Sequence, residues 1–188
     1  MYKKVVTKEM LDEFHRIKEQ SWNLKGFGME FVKEKSDAFL FYPENQTGEA
    51  CKAGGTFEFT PFSDTTRDLM KDLFNDVIEE GMKVVEIDSF SVLPEFRGKL
   101  GREIVCLMID YAERNGYTHA IGIADPSVFR SFNESYHIPT LQVKDTFWYK
   151  GEYVVPTLFN LKEIYTNKQN EKFSWYKKPT ELLEKVGA

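Results

Sequence analysis

The sequence predicts an α/β (α+β) chain built on a mixed, largely antiparallel sheet with helices on both faces. Three observations predict this. Short apolar runs rich in Phe, Val and Ile alternate with segments of helical spacing along the 188 residues. Two pairs of runs are joined only by turn-rich stretches, which asks for antiparallel hairpins. Two further runs, ending at Val92 and Ala124, are each followed by a helix, which permits parallel neighbours.

Residues 2–6 form a short strand candidate. Thr7 can cap a helix whose Met10, Leu11, Phe14 and Ile17 share one face. The stretch 22–31 holds Gly26 and Gly28 and reads as a mobile connection, with Trp22, Phe27 and Phe31 available to cover something. "DAFLFY" (37–42) is a strand, 43–49 a turn, and 50–59 the return strand, where Gly54-Gly55 suggests a bulge or a close approach. Asp64 is placed to cap a second helix through Leu69, Met70, Leu73, Phe74, Val77 and Ile78, stopped by Gly81. A strand over 84–92 then breaks at Pro94 into a basic loop and a helix carrying Leu100, Ile104, Leu107, Met108 and Tyr111 at helical spacing, ended by Gly116. "YTHAIGIA" (117–124) is the next strand. Pro126 suits the first turn of a short helix over 126–135. Two final strands run over 140–149 and 152–161. Residues 1–161 thus read as one domain, and the polar extension 162–188, with a weak helix at "PTELLEKV", as part of it.

The formal net charge of −5 excludes a general nucleic-acid surface, which needs a basic face to release counterions. Sixteen Phe and nine Tyr read first as core, and more sharply as a ring-lined pocket. Cys51 and Cys106 form no CxxC pair, and Cys106 is expected to pack as a small apolar group. The segment "MYKKVVTKEM" lacks the apolar core of a signal peptide, and no run is long enough to cross a bilayer, so a cytoplasmic chain without a membrane partner is expected. His15, His119 and His137 show no metal-ligand spacing, and no metal is expected.

Chemistry concentrates in "VVEIDSFSVLPEFRGKLGREIV" (84–105). Arg97-Gly98-Lys99-Leu100-Gly101-Arg102 lies between a strand and a helix start. Unpaired N–H groups there, the helix dipole and the cations make a cradle for a pyrophosphate. A basic turn that merely begins a helix is the competing reading. Upstream, Glu86 and Asp88 alternate with Val85 and Ile87, so the two acids share one strand face with Phe90 and Val92. A carboxylate on a central strand needs partners or a wet cleft.

"VLPEFRGKLG" resembles the signature of the GNAT acyltransferase superfamily, and the element order resembles that fold across nearly the whole chain. The resemblance implies N-acyl transfer from acyl-CoA, acetyl-CoA first, to a small-molecule or peptide amine, with room for a homodimer. It places the donor pyrophosphate on the N–H groups of Gly98, Lys99, Leu100, Gly101 and Arg102, with Arg97 adding charge, and the pantetheine arm beside Phe90 and Val92. It gives Glu86 the role of general base. The superfamily's usual tyrosine acid falls on Phe132, so Tyr136, one turn later, is the candidate substitute, beside the readings that Tyr136 is a packed tyrosine or that the thiolate leaves without a side-chain acid. The family's glycine positions fall here on Leu100 and Arg102, with Gly101 between them. A second resemblance is to acyl-homoserine-lactone synthases, in "EIDSFSV…PEFRG", "HRIKEQSW" and "SYHIPTLQV…YKGEYVVPTL". It implies a longer acyl donor or one borne on acyl-carrier protein, with S-adenosylmethionine as the other substrate, although Ser89 stands where those enzymes have arginine. A non-catalytic acyl-CoA-binding domain is the third reading.

Overall fold

The computed structural model describes residues 1–33, 35–44, 52–63 and 66–182. The order is β1 (Tyr2–Lys4), α1 (Lys8–Asn23), β2 (Asp37–Phe41), β3 (Gly55–Pro61), α2 (Asp68–Phe74), β4 (Val84–Val92), α3 (Leu100–Asn115), β5 (His119–Ala124), α4 (Pro126–Glu134), β6 (Thr140–Gln142), β7 (Phe147–Tyr149), β8 (Glu152–Asn160) and α5 (Leu161–Thr166). The strands lie in the order β1-β2-β3-β4-β5-β8-β6, with β7 paired to the other half of β8. Among the strands of the described residues, β4 and β5 form the one parallel pair. The sheet is thus mixed and largely antiparallel, as the alternation of hairpins and crossovers requires.

Helices cover both faces. Phe39, Phe41, Val85 and Ile87 pack with α3 and α5 residues such as Ile104, Leu107, Met108 and Ile164 in the main core. On the opposite face Ala38 and Leu40 meet Phe14 and Ile17 of α1. Val84, Ile121 and Leu158 meet Met70, Leu73 and Phe74 of α2 on that same face. α1 starts as its sequence asks, with the Thr7 side chain accepting the Met10 N–H. α3 ends on Gly116 in the left-handed conformation.

Several expectations change. The strand expected over 140–149 is two short ones, β6 and β7, separated by 143–146 and both paired to β8. α2 is shorter than its apolar spacing suggested and passes into a 3-10 turn at Asn75–Val77. The expected turn at 43–49 and the Asp64 cap fall largely or wholly outside the described residues. The polar extension carries α5, and Phe173 within it is fully buried. Of the weak helix at "PTELLEKV", the described part instead runs extended, bridging Tyr2 to Glu181.

The bulge suggested at Gly54-Gly55 lies across the ladder. Register advances two residues from Thr56 to Glu58 on β3 but three from Ser91 to Asp88 on β4, so the extra residue is in β4. Gly54 is instead a close approach, since a Cβ there would stand 2.1 Å from the Phe96 ring. Ser89 adopts φ 58, a left-handed value unusual for a side-chain-bearing residue. Its N–H is accepted by Asp88 Oδ1 at 2.5 Å, its hydroxyl donates to Glu58 Oε2 at 2.8 Å, and its carbonyl accepts from Thr56 Oγ1 at 2.8 Å. The bulge reverses the alternation beyond it. Glu86 and Asp88 face α1 and α2, whereas Phe90 and Val92 pack against the α3-side core, not on the face of the two acids.

Candidate functional site

β4 and β5 pair only over Val84–Glu86 and His119–Ile121. Beyond that they part, and the opening between them leads into a cavity of about 420 Å³. At one end the cavity is lined by Arg97, Gly98, Gly101 and Arg102, at the start of α3. Its middle is apolar, with Phe57, Phe90, Phe132 and Phe159 among its walls. At the other end stand Glu30, Arg67, Glu86, Asp88, Tyr149 and Lys150.

Among the donor-loop residues expected from sequence, Arg97, Gly98, Gly101 and Arg102 line the cavity, as do Phe90 and Val92. Among the described residues neither Arg97 nor Arg102 has an ion-pair partner. Lys99 is the exposed N-cap of α3 and is not part of the lining. Leu100 turns its side chain into the core, 1% exposed, because it begins the apolar stripe of α3. Gly98 has φ 76, which the absence of a Cβ allows.

Tyr136 lines the same cavity, with its hydroxyl 3.8 Å from where a Gly101 Cβ would stand. Its ring meets Phe132 at 6.2 Å and Trp175 at 5.1 Å, and its carbonyl accepts the Trp175 indole N–H at 2.9 Å. Burial raises its pKa, and nearby Cys106 adds to this. The phenol therefore holds its proton well past neutrality.

Glu86 is 2% exposed and belongs to an ionic cluster. Its Oε1 takes Lys33 Nζ at 2.9 Å and Arg67 Nη2 at 2.8 Å. Lys33 also reaches Asp88 Oδ2 at 2.8 Å, and its backbone N–H donates to Glu58 Oε1 at 2.8 Å. Arg67 carries the chain on to Glu30 Oε2 at 2.9 Å, and Glu30 further accepts the Tyr149 hydroxyl at 2.7 Å and the Lys150 ammonium. Burial works against the charges of Lys33, Arg67, Asp88 and Glu30, but their pairing prevails. It would push Lys33 and Arg67 down, yet the carboxylates beside them hold both above their ordinary values. It would push Asp88 up, yet Lys33 and Lys18 hold it well below the carboxylate range. Burial and Asp88 would likewise raise Glu30, but the bonds from Lys150 and Tyr149 and the charge of Arg67 bring it below its usual value. Tyr149, buried and bonded to Glu30, is pushed up to about 12.

A strap formed by residues 24–33 crosses this end. Lys25 pairs with Asp125 at 2.8 Å, at the N-cap of α4. The Gly28 N–H donates to the Lys150 carbonyl at 2.9 Å. The Val32 N–H donates to His15 Nε2 at 3.2 Å. Beneath the strap Lys18 is fully buried, its ammonium 4.2 Å from the Trp22 ring centre and without a hydrogen-bond partner among the described residues. Burial lowers its pKa.

Sequence reasoning pointed to Glu86, Arg97 and Arg102, which the structure brings to one cavity, but not to Glu30, Lys33, Arg67, Tyr149 and Lys150. Glu30 and Lys33 lie in or beside the stretch flagged as a covering connection, and charges amid its aromatics were the available signal. Arg67 precedes a helix and carries none. Among the described residues no cluster of His, Cys, Asp and Glu could hold a metal ion, and no helix is long and apolar enough to cross a membrane.

No protein-family model matches the chain, and no curated protein matches it. Solved structures do. FeeM, an N-acyl amino acid synthase from uncultured soil microbes, superposes with a TM-score of 0.67 at 12% identity, over 87% of this chain and 92% of that one. BjaI, a CoA-dependent acyl-homoserine lactone synthase solved with MTA, gives 0.68 at 10% identity, over 97% and 93%. A Lactobacillus plantarum protein described as an N-acetyltransferase gives 0.59 at 12% identity, over 86% and 97%. At such identities the likeness establishes the fold alone, the one shared with these acyl-homoserine lactone synthase and N-acetyltransferase structures, as both sequence resemblances implied.

Proposed function

We propose that this chain is an N-acyltransferase that moves an acyl group from acyl-CoA to an amine. The observation that carries the reading is the cavity itself. It runs from the Arg97 and Arg102 guanidiniums, which have no ion-pair partner among the described residues, past a ring-lined middle, to a cluster of carboxylates and cations. A phosphorylated carrier, an acyl chain and an amine each find matching chemistry along one path. That the structural neighbours are acyl-transfer enzymes by description supports the same reading.

In this reading Arg97 and Arg102, with the N–H groups of Gly98 and Gly101, hold the pyrophosphate. Lys99 and the Leu100 backbone sit in the same loop and add to the local positive potential. Phe90 and Val92 flank the pantetheine arm, and the bulge at Ser89 leaves backbone outside the β3 ladder, where an N–H can meet the developing oxyanion. Glu86 takes the amine's proton, directly or through water, by the carboxylate oxygen opposite the one shared by Lys33 and Arg67. Tyr136 returns a proton to the departing thiolate. The neutral amine forms the new C–N bond as the C–S bond breaks, so the products are an amide and free CoA. The acceptor is a small molecule or peptide, and no nucleic acid or membrane is needed.

The apolar middle of the cavity favours an acyl chain longer than acetyl, the donor class of the second sequence resemblance. Each methylene buried there gains about 0.8 kcal/mol. A thermal-shift panel of CoA, acetyl-CoA, octanoyl-CoA and S-adenosylmethionine tests both points. CoA species should raise Tm by mass action, and Arg97→Ala should blunt the rise. Glu86→Gln should lower turnover with donor affinity nearly intact. No response to any CoA species at millimolar concentration refutes the reading. Equal response to all of them, with no transfer to any amine, replaces it with a non-catalytic binder.

A further inference from the structure

We propose that the Lys150 ammonium is a placeholder in a subsite for a primary alkylammonium ion, built by Glu30 and Tyr149. Identifying that amine as the acyl acceptor rests on the proposed function; the subsite does not.

Lys150 sits at the tip of the turn joining β7 to β8, with φ 50, followed by Gly151 with φ 108. Both values are left-handed, where glycine or asparagine is at ease and lysine is not. The turn thus holds a poorly suited residue, and that residue aims its ammonium at Glu30. The same ammonium lies 5.4 Å from the Tyr149 ring centre. A carboxylate on one side and a ring face on the other is the chemistry that recognises an alkylammonium.

The surroundings separate this contact from an ordinary surface pair. The Glu30 side chain is only 11% exposed, while that of Lys150 is 40% exposed. Glu30, Tyr149 and Lys150 all line the cavity, so the contact opens onto it. Glu30 has two other donors, the Tyr149 hydroxyl at 2.7 Å and Arg67 Nη1 at 2.9 Å, that stay when Lys150 leaves. Arg67 is held by both Glu30 and Glu86, and Tyr149 lies within β7, so Lys150, the most exposed of Glu30's partners, is the one free to swing out, while the other two donors keep the buried carboxylate compensated. It leaves a space shaped for one ammonium and its alkyl stem. Across the Arg67 guanidinium stands Glu86, which places an amine held by Glu30 next to the proposed base.

Chemical rescue tests this without any knowledge of the natural ligand. Lys150→Ala removes the equivalent of n-propylammonium. The Tm of wild type, Lys150→Ala and Lys150→Ala/Glu30→Gln is followed against n-propylammonium chloride, with sodium chloride at matched ionic strength. Lys150→Ala alone should show a saturable rise, about 4–7 °C at twenty times the half-saturating concentration. Wild type, its subsite filled, and the double variant, lacking the carboxylate, should follow the salt control. Lys150→Asn, whose short side chain suits the left-handed turn, repeats the test should the alanine variant fold poorly. Equal responses in all variants overturn the proposal. A rescue in a protein that ignores every CoA species leaves the subsite standing and removes only the acyl-transfer reading.

Discussion

Arg67→Met isolates the ionic cluster, because methionine keeps most of the apolar stem and removes the charge. The Arg67 side chain is one-third exposed, but its partners Glu86 and Glu30 have side chains only 3% and 11% exposed. Removing one member of a buried pair costs about 3–5 kcal/mol, since the remaining charge is left in a poorly solvating place. Two facts set the value at the low end. Glu86 keeps Lys33 at 2.9 Å, and Glu30 keeps Lys150 and Tyr149. The expected loss is therefore about 3 kcal/mol, or a fall in Tm of roughly 6–12 °C for a chain of this length. Differential scanning calorimetry at pH 7 measures it. A cycle with Glu86→Gln should show coupling well above 0.5 kcal/mol, because the two side chains touch. The penalty should shrink in acid, where Glu30, left without Arg67, can take a proton. A fall in Tm of under about 2 °C would mean the cluster is solvated like a surface pair, and the argument from burial would be wrong.

The acid side of the stability profile should come from Glu30 and Asp88. Their folded values are depressed, so their contribution is present above about pH 4 and is lost as pH falls through the folded values. Lys33, raised in the fold, contributes fully below about pH 10.4, and that is lost only as pH climbs through its folded value. His15 is depressed by burial, so stability should already sag as pH drops below about 6.5, and His15→Gln should flatten that part of a Tm–pH curve while keeping an acceptor for the Val32 N–H. Gly151→Ala would place a Cβ 1.9 Å from the Gly26 carbonyl oxygen at φ 108, and should cost at least about 2 kcal/mol and speed amide exchange at Gly28. Gly81→Ala, with φ 88 but nothing within 4 Å of the new Cβ, should cost about 1–2 kcal/mol, and equal losses at the two sites would dismiss the clash. Trp175→Phe keeps a ring beside Tyr136 but loses the bond to its carbonyl, and should cost about 1 kcal/mol in urea unfolding.

Local chemistry made much of the fold legible. The Thr7 cap, the apolar stripe from Leu100 to Tyr111 and the Gly116 stop act within a few residues of themselves, and each appears where its spacing put it. The apolar runs marked the strands for the same reason, apart from the split of 140–149, where only pairing with the two halves of β8 decides which residues count as strand. Half of the candidate site was legible too. The glycines and cations of 97–102 are neighbours in the chain, and Arg97, Gly98, Gly101 and Arg102 reach one end of the cavity together, while Glu86 stood out because a carboxylate in an apolar run must be accounted for.

What the tertiary structure alone decided is whom those residues meet. Lys33 and Arg67 reach Glu86 across 53 and 19 positions of sequence, and no periodicity relates them. Ser89 takes its left-handed conformation among side chains of Asp88, Glu58 and Thr56 drawn from two strands, and that one residue sends Phe90 and Val92 to the face opposite the acids. The Lys150 ammonium and Glu30 are joined only because the strap docks on the β7–β8 turn. Propensity and periodicity are short-ranged and survive in any local segment. Ion pairing and bulge geometry depend on distances that exist only once the sheet has been assembled.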